Sequence, residues 1–185
     1  MRILVSVILF ALTCSAFGGE DQIIYYAGIQ VRTSLFGQPQ VTEDLVLKKS
    51  FLPSKGMLVE IACMKKPGSA AKLSPVYMKV ENQTILAISS DEKFSAVPLS
   101  GTGALEGSPW DWNYLKFSMK FNTPAGTARI EDENWVSGPY LIAIKDLYWQ
   151  DAKGGPELKS GIITAKVREV GEADYNAKSK EMGCP

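Results

Sequence analysis

The sequence predicts an all-β protein in which an antiparallel up-and-down meander closes into a barrel of about eight to ten strands. Apolar and polar residues alternate with a period of two from Gln22 onward, which is typical of strands with one buried face. Turn-forming residues interrupt this alternation about every 8–14 positions, and no long helix-patterned stretch lies between them. Closure into a barrel removes exposed sheet edges. Short connections favour it over a β-sandwich, which is the alternative fold.

Ten segments carry the strand pattern, and each is bounded by residues that favour turns. In chain order the predicted strands cover residues 22–36, 42–52, 57–65, 73–81, 84–90, 94–106, 110–121, 127–136, 140–150 and 158–170. Glycine and proline mark most of the connections, at residues 37–39, 53–56, 67–68, 107–109, 122–126, 137–139 and 151–156. Residues 82–83 form a short hairpin connection. After the last strand, residues 171–180 are expected to hold one or two helical turns.

The first 18 residues have the pattern of a secretory signal peptide. Arg2 supplies the positive start, residues 3–12 are almost entirely apolar, and Ala16 and Gly18 occupy the −3 and −1 positions of a cleavage site. The apolar run is about half of the roughly 20 residues that a transmembrane helix needs. We therefore expect a secreted or periplasmic protein with a single barrel domain over residues 19–185. The alternative is a lipid anchor on Cys14.

Composition excludes several classes of function. The chain has 20 basic and 20 acidic residues and no histidine. Without histidine there is no Ser-His-Asp or Cys-His machinery, no His-ligated zinc and no proximal-His haem. The balanced charge gives no reason to expect a nucleic acid partner. We expect a non-enzymatic monomer with no metal or other cofactor, and no integral membrane segment after the leader is removed.

Two cysteines remain after the leader, Cys63 in a predicted strand and Cys184 in the tail. In an exported chain the simplest expectation is one disulfide between them. The alternative is a buried Cys63 and a reactive Cys184, for which the sequence shows no activating group.

The densest aromatic cluster is Trp110, Trp112 and Tyr114, which share one strand face by their spacing. The apolar residues that follow occupy the opposite parity: Leu115, Phe117, Met119 and Phe121. Such aromatic residues form either one wall of a ligand cavity or part of the packed core, and the pattern leaves both readings open.

The segment 127–136 offers two possible inward faces. If Ile130 points into the barrel, Asp132 and Asn134 point inward as well. If Trp135 points inward, it brings Arg129, Glu131 and Glu133 with it, which costs more free energy. The first arrangement is therefore expected, with Lys145 and Asp146 of the next strand available for ion pairs. The carboxylate spacing also admits a two-carboxylate glycosidase, but nothing else in the sequence supports one.

The layout resembles the calycin superfamily of lipocalin-like barrels. The leader, the meander and the pairing of Cys63 with a tail cysteine carry this architectural resemblance, and residues 103–112 and 129–136 are similar in character to lipocalin-like bacterial envelope proteins. The Gly-x-Trp signature of the lipocalins is absent from residues 22–36, so no family binding residues are transferred.

The sequence thus predicts an exported barrel that binds or carries a small, partly apolar or lipid-like ligand in its interior. The alternative is an envelope or interaction module whose barrel is filled by its own side chains, and a carboxylate-based hydrolase ranks third. Predicted interior positions are Tyr25, Ile61, Trp112, Phe117, Met119, Ile130 and Ile144, and predicted ligand contacts are Trp112, Phe117, Met119, Ile130 and Asp132. A continuous apolar cavity of about 300 Å³ or more would favour the carrier.

Overall fold

The computed structural model describes residues 19–37, 39–95, 101–123 and 125–185, and they form a closed barrel of ten antiparallel strands. Strand neighbours follow the chain order, and the first strand closes the barrel by pairing with both the second and the tenth. The predicted fold class is therefore confirmed, and the sandwich alternative is wrong. The signal peptide predicted at residues 1–18, with Cys14, lies outside the described residues.

The sixth strand is described from residue 101 and does not begin at residue 94 as predicted, since residues 91–94 form turns and residues 96–100 lie outside the described residues. Ten strands in all correspond to the ten predicted segments. They are β1 (Gln22–Ser34), β2 (Val41–Leu52), β3 (Met57–Lys65), β4 (Lys72–Glu81), β5 (Thr84–Ser89), β6 (Gly101–Glu106), β7 (Tyr114–Thr123), β8 (Gly126–Ser137), β9 (Tyr140–Asp151) and β10 (Leu158–Val170). A short 3₁₀ turn, Pro53–Lys55, joins β2 to β3, and helix α1 (Glu172–Met182) follows β10.

The seventh strand begins later than the sequence pattern predicts. Trp110 and Trp112 lie in the connection before β7 because two side chains fold the backbone there into turns. The Ser108 hydroxyl accepts a hydrogen bond from the Trp110 amide, and the Asp111 carboxylate accepts one from the Asn113 amide. The two tryptophans still pack against the core, as half-buried side chains at the edge of the apolar cluster.

Glycine allows β6 to approach β7. A Cβ atom at Gly103 would lie 2.2 Å from the Ser118 carbonyl oxygen, and one at Gly101 would lie 2.2 Å from that of Lys120. β6 also pairs with β5, but only through Thr84 opposite Ala104 and the next pair along the strands. A side chain at either glycine would thus prevent this close approach of β6 to β7.

Side chains fill the barrel in two apolar clusters. The larger consists of Phe51, Leu58, Met78, Val80, Ile85, Ile88, Leu105, Leu115, Phe117, Met119 and Phe121. The smaller consists of Tyr26, Leu45, Leu141 and Val167. Phe117 and Met119 are buried as predicted, and Ile130 and Trp112 pack against the larger cluster.

Three of the predicted interior positions are wrong, because their side chains point out of the barrel. The Tyr25 ring lies 5.0 Å from the Tyr175 ring of α1, on the outer surface. Ile61 shares the outer face of β3 with Cys63, two residues further along the strand. Ile144 is 40% exposed. In β1 and β3 the outer face is largely apolar as well, and α1 and the tail cysteine pack against part of it, so alternation alone does not identify the inner face.

Helix α1 lies on the outside of β1 and β2 and is longer than the predicted one or two turns. It ends at Gly183, whose left-handed conformation (φ 78°) closes the last turn. Cys184 then forms the predicted disulfide with Cys63, across a sequence separation of 121 residues. Met182 packs with Cys63 and Val46 beneath the helix. No helix within the described residues is both long and apolar enough to cross a membrane.

Candidate functional site

The inner face of β8 carries the polar groups that its alternation predicts. Ile130 packs against the core, and Asp132 and Asn134 on the same face are buried. Glu131 and Glu133 on the opposite face are exposed. The predicted arrangement in which Ile130, Asp132 and Asn134 face inward, the one that costs less free energy, is therefore confirmed.

These polar groups belong to a buried charged ring, which we define as Lys49, Glu60, Asp132, Asn134 and Lys145. The Lys49 ammonium lies 2.9 Å from Glu60 Oε1 and donates a 2.7 Å hydrogen bond to Asn134 Oδ1. Asn134 Nδ2 donates in turn to Asp132 Oδ1 at 3.0 Å. Lys145 Nζ forms an ion pair with Asp132 Oδ2 and lies 3.6 Å from Glu60 Oε2. Two positive and two negative charges thus compensate each other inside the barrel.

Burial and neighbouring charge act in opposite directions on the ionisation of the ring. Burial by itself raises the pKa of Glu60, but the Lys49 and Lys145 ammonium groups outweigh it and hold that pKa at about 2. Burial likewise lowers the pKa of Lys145, yet Asp132 and Glu60 raise it above its ordinary value. Both groups are therefore charged across the neutral pH range. Glu60 and Lys145 therefore act as an ionic cross-link, and neither is poised for proton transfer near neutrality.

The ring borders a small interior cavity of about 50 Å³. Apolar walls from β2, β9 and β10 face three polar donors, Gln30, Lys49 and Lys145. Gln30 is itself engaged, since its amide donates to the buried Glu43 carboxylate. A water molecule needs about 10–15 Å³ measured in this way, whereas pockets for drug-sized ligands measure about 300–1,000 Å³. The cavity therefore has room for a few water molecules.

The predicted ligand contacts do not surround this cavity. Phe117, Met119 and Ile130 belong to the packing of the larger apolar cluster, and Trp112 packs at its edge. Asp132 is committed to the ring. None of the five lines the 50 Å³ cavity, and their role in ligand binding stays a prediction.

A second cavity lies outside the barrel, across four strands. We call it the outer groove; its volume is about 230 Å³, and its outward-facing lining residues are Ala104, Glu106, Lys116, Ser118, Glu131, Glu133, Ile144 and Asp146. Phe117 and Asp132, two of the five predicted ligand contacts, also border it, although their side chains are buried on the inner faces of β7 and β8. The pairing register arranges them in two rows. One row is Glu106, Lys116, Glu133 and Ile144, and the other is Ala104, Ser118, Glu131 and Asp146. The depression exists because the small side chains of Ala104 and Ser118 are surrounded by longer ones.

Salt bridges at its edges hold most of the groove carboxylates. Lys116 Nζ lies 2.9 Å from Glu106, and Lys159 Nζ lies 2.7 Å from Asp146. Hydrogen bonding to these carboxylates raises the pKa of both lysines. Glu133 is held differently, since it accepts a 3.1 Å hydrogen bond from the uncharged Tyr114 hydroxyl.

Arg129, in the row beside the groove, organises the remaining acidic groups. It pairs with Glu131 and Glu157, and its guanidinium carbon lies 3.8 Å from the centre of the Tyr148 ring. The hydrogen bond from Arg129 lowers the pKa of Glu157. These contacts fix Glu131 at the groove wall.

Sequence reasoning found one half of the charged ring and missed the other. The expected pairing of Lys145 with an acid of β8 is confirmed, whereas Asp146 pairs instead with Lys159 of β10. Lys49 and Glu60 were missed. A usable signal existed, because Lys49 lies between Leu47 and Phe51 in the inward parity of β2, and Glu60 follows Leu58 in that of β3.

Comparison with protein-family models, curated proteins and solved structures finds no match to this chain. The class is therefore defined by the fold, a closed ten-strand antiparallel meander barrel compatible with a lipocalin-like architecture. Within the described ranges, no group of three or more acidic or cysteine side chains is arranged to hold a metal ion.

Proposed function

We propose that the protein is an exported, non-enzymatic binding module that uses a self-filled lipocalin-like barrel as a scaffold and binds its partner at the outer groove. The observation that carries this proposal is the content of the barrel. Two apolar clusters and the charged ring occupy the interior, and the cavity beside the ring measures about 50 Å³. The outer groove, at about 230 Å³, is the roomier of the two sites.

The construction of the barrel supports a scaffold role. Every strand pairs on both sides, so the groove rests on four strands with fixed neighbours. The charged ring ties β2, β3, β8 and β9 together from inside. The disulfide holds the tail against β3. A binding site on such rigid elements loses little conformational entropy when it is occupied.

Export and non-enzymatic action are parts of the proposal that rest on the sequence. The leader at residues 1–18 supports export, and the disulfide fits an oxidising compartment. The absence of histidine and the charged state of Glu60 and Lys145 near neutral pH support binding without catalysis.

The experiment is a fragment screen on the exported, ¹⁵N-labelled protein, read by amide chemical shifts. We expect fragments to perturb the outer-face amides of Ser118, Glu133 and Ile144 and to leave those of Leu141 and Val167 unchanged. Ser118→Trp should fill the groove and abolish these shifts, whereas Ser118→Ala should preserve them. Fragments that shift the interior amides, or a screen in which no fragment shifts the groove, would overturn the proposal.

A second candidate is the carriage of a small ligand inside the barrel. The observation in its favour is the 50 Å³ cavity, where polar donors from Gln30, Lys49 and Lys145 face apolar walls. A ligand would have to enlarge this space by displacing side chains. Titration with a panel of lipids and small amphiphiles, followed by tryptophan fluorescence, tests it. Saturable quenching that survives Ser118→Trp would support the carrier, and an unchanged spectrum across the panel would eliminate it.

A further inference from the structure

We infer that the outer groove binds a small organic cation, an ammonium or guanidinium group on a short apolar stem. This inference rests on the proposed function, since it names the ligand class of the same site. It combines three features of the groove: its charge, its apolar wall and its size.

The charge of the lining favours a cation. Four carboxylates face one ammonium group, Lys116, which is already bound to Glu106. Glu131 and Asp146 are direct neighbours across β8 and β9, a like-charge pair that costs free energy in a sheet. Arg129 and Lys159 offset that cost from outside the groove. The groove lining thus keeps an excess of negative charge, which favours a cationic ligand over an anionic one.

Glu133 supplies the carboxylate that remains free of an ionic partner. Its hydrogen bond comes from the neutral Tyr114 hydroxyl, and among the described residues no lysine or arginine forms a salt bridge with it. Lys116, opposite Glu133 in the register, is directed to Glu106 at 2.9 Å. An incoming ammonium group therefore meets a carboxylate that makes no salt bridge among the described residues, and on which the Lys116 ammonium acts only at longer range.

An apolar surface lies directly beside that charge. Ile144 is the register partner of Glu133 on β9, and 40% of it is exposed. Ala104 and Ser118 leave the depression next to it open. A cationic group at Glu133 thus places its stem against Ile144. Because adjacent strands lie about 4.8 Å apart and alternate residues about 7 Å apart, the two rows over four strands form a slot of roughly 14 by 7 Å.

Size and chemistry narrow the ligand class further. The groove volume of about 230 Å³ is below that of pockets for drug-sized molecules, so the stem must be short. An anion would meet the carboxylates of Glu133, Glu131 and Asp146 at close range. A bare metal ion is not favoured, since the described residues hold no suitable cluster of three ligands.

The test titrates the exported protein with n-hexylammonium, hexanoate and hexan-1-ol under identical conditions, with amide chemical shifts as the readout. We expect hexylammonium to shift Ser118, Glu133 and Ile144 with an affinity at least about tenfold above that of the other two probes. Raising the salt from about 10 mM to about 1 M shortens the Debye length from about 30 Å to about 3 Å and should weaken hexylammonium binding severalfold.

Two variants, each with a control, test separately what the Glu133 charge and the apolar Ile144 side chain contribute to binding. Glu133→Gln keeps the acceptor for Tyr114 but removes the charge, and should weaken hexylammonium binding about fivefold or more. Glu81→Gln, an exposed change on β4, should not alter it. Ile144→Ser should also weaken binding, whereas Ile29→Ser, an equally exposed position on β1, should not.

The outcomes distinguish this inference from the proposed function. If hexanoate or hexan-1-ol occupies the groove as well as hexylammonium does, the inference is wrong and the groove remains a binding site. If Glu133→Gln binds hexylammonium as tightly as the wild type, the inference is also wrong. If neither the three probes nor any fragment of the screen shifts the groove amides, both the cation-binding inference and the proposed binding function are wrong.

Discussion

The charged ring makes a sharp prediction about stability, tested by Glu60→Gln. Glu60 stands between two ammonium groups, with Lys49 Nζ 2.9 Å from one oxygen and Lys145 Nζ 3.6 Å from the other. Glutamine keeps the size of the side chain and one acceptor oxygen. Glutamine removes the negative charge, so the buried Lys49 and the partly exposed Lys145 are left with only Asp132 to compensate them.

The size of the expected loss in folding free energy follows from the pKa of Glu60. A fall from the ordinary value of 4.5 to about 2 corresponds to about 3 kcal/mol of folding free energy. Breaking a buried ion pair by removing one partner costs a similar amount, about 3–5 kcal/mol. Because the folded-state pKa lies below the unfolded-state one, this stabilisation is fully present above about pH 4.5. It is lost as the pH falls through about 2.

The assay is urea unfolding followed by the fluorescence of the four tryptophans. Near neutral pH the unfolding free energy of Glu60→Gln should lie about 3 kcal/mol below that of the wild type. The difference should shrink as the pH approaches about 2, since protonation then neutralises the wild-type side chain as well. The exposed control Glu81→Gln should change stability by less than about 0.5 kcal/mol. A loss below about 1 kcal/mol for Glu60→Gln, or a difference that persists at about pH 2, would refute the reasoning.

Three further predictions concern the barrel wall. Cys184→Ser should lower the unfolding free energy by up to about 4–5 kcal/mol through the long loop that the disulfide closes, and thiol titration of the unfolded, unreduced exported protein, from which the leader with Cys14 has been removed, should find no free thiol. Gly103→Ala places a Cβ atom against the Ser118 carbonyl and should cost about 2 kcal/mol or more in urea unfolding, whereas Gly155→Ala, in open space, should be near neutral. Tyr175→Ala should cost about 1–2 kcal/mol and accelerate hydrogen exchange in α1 while β8 and β9 stay protected.

The strand pattern and the turns were sufficient to predict the fold, because antiparallel neighbours joined by short turns have few other ways to hide their edges. In β8 the inner face was also predictable. Ile130 is the apolar residue in the middle of that strand and points inward. Asp132 and Asn134 follow it at alternate positions, so their side chains point inward as well. In β1 the same logic failed at Tyr25 and Tyr26. Around these two residues both faces of the strand are covered, one by the core and one by α1, and both carry apolar side chains. Alternation therefore does not show which face points inward.

The candidate sites were harder to predict because they depend on register. Lys49 and Glu60 meet only because β2 and β3 pair in one particular alignment and Lys145 approaches from β9. A single lysine in an apolar strand is usually read as a surface residue, since lysine is almost never buried unless it is paired. The outer groove likewise needs the alignment of β6 to β9, which places Glu133 opposite Ile144.

The measurement that tests the central claim most directly is native mass spectrometry of the exported protein, purified without detergent. A barrel filled by its own side chains predicts that Ser118→Trp, in which the outer groove is filled, shows the mass of the disulfide-bonded chain alone, even after incubation with lipids and amphiphiles. Recovery of a stoichiometric small molecule that stays bound in Ser118→Trp, where the outer groove is filled, would contradict the account.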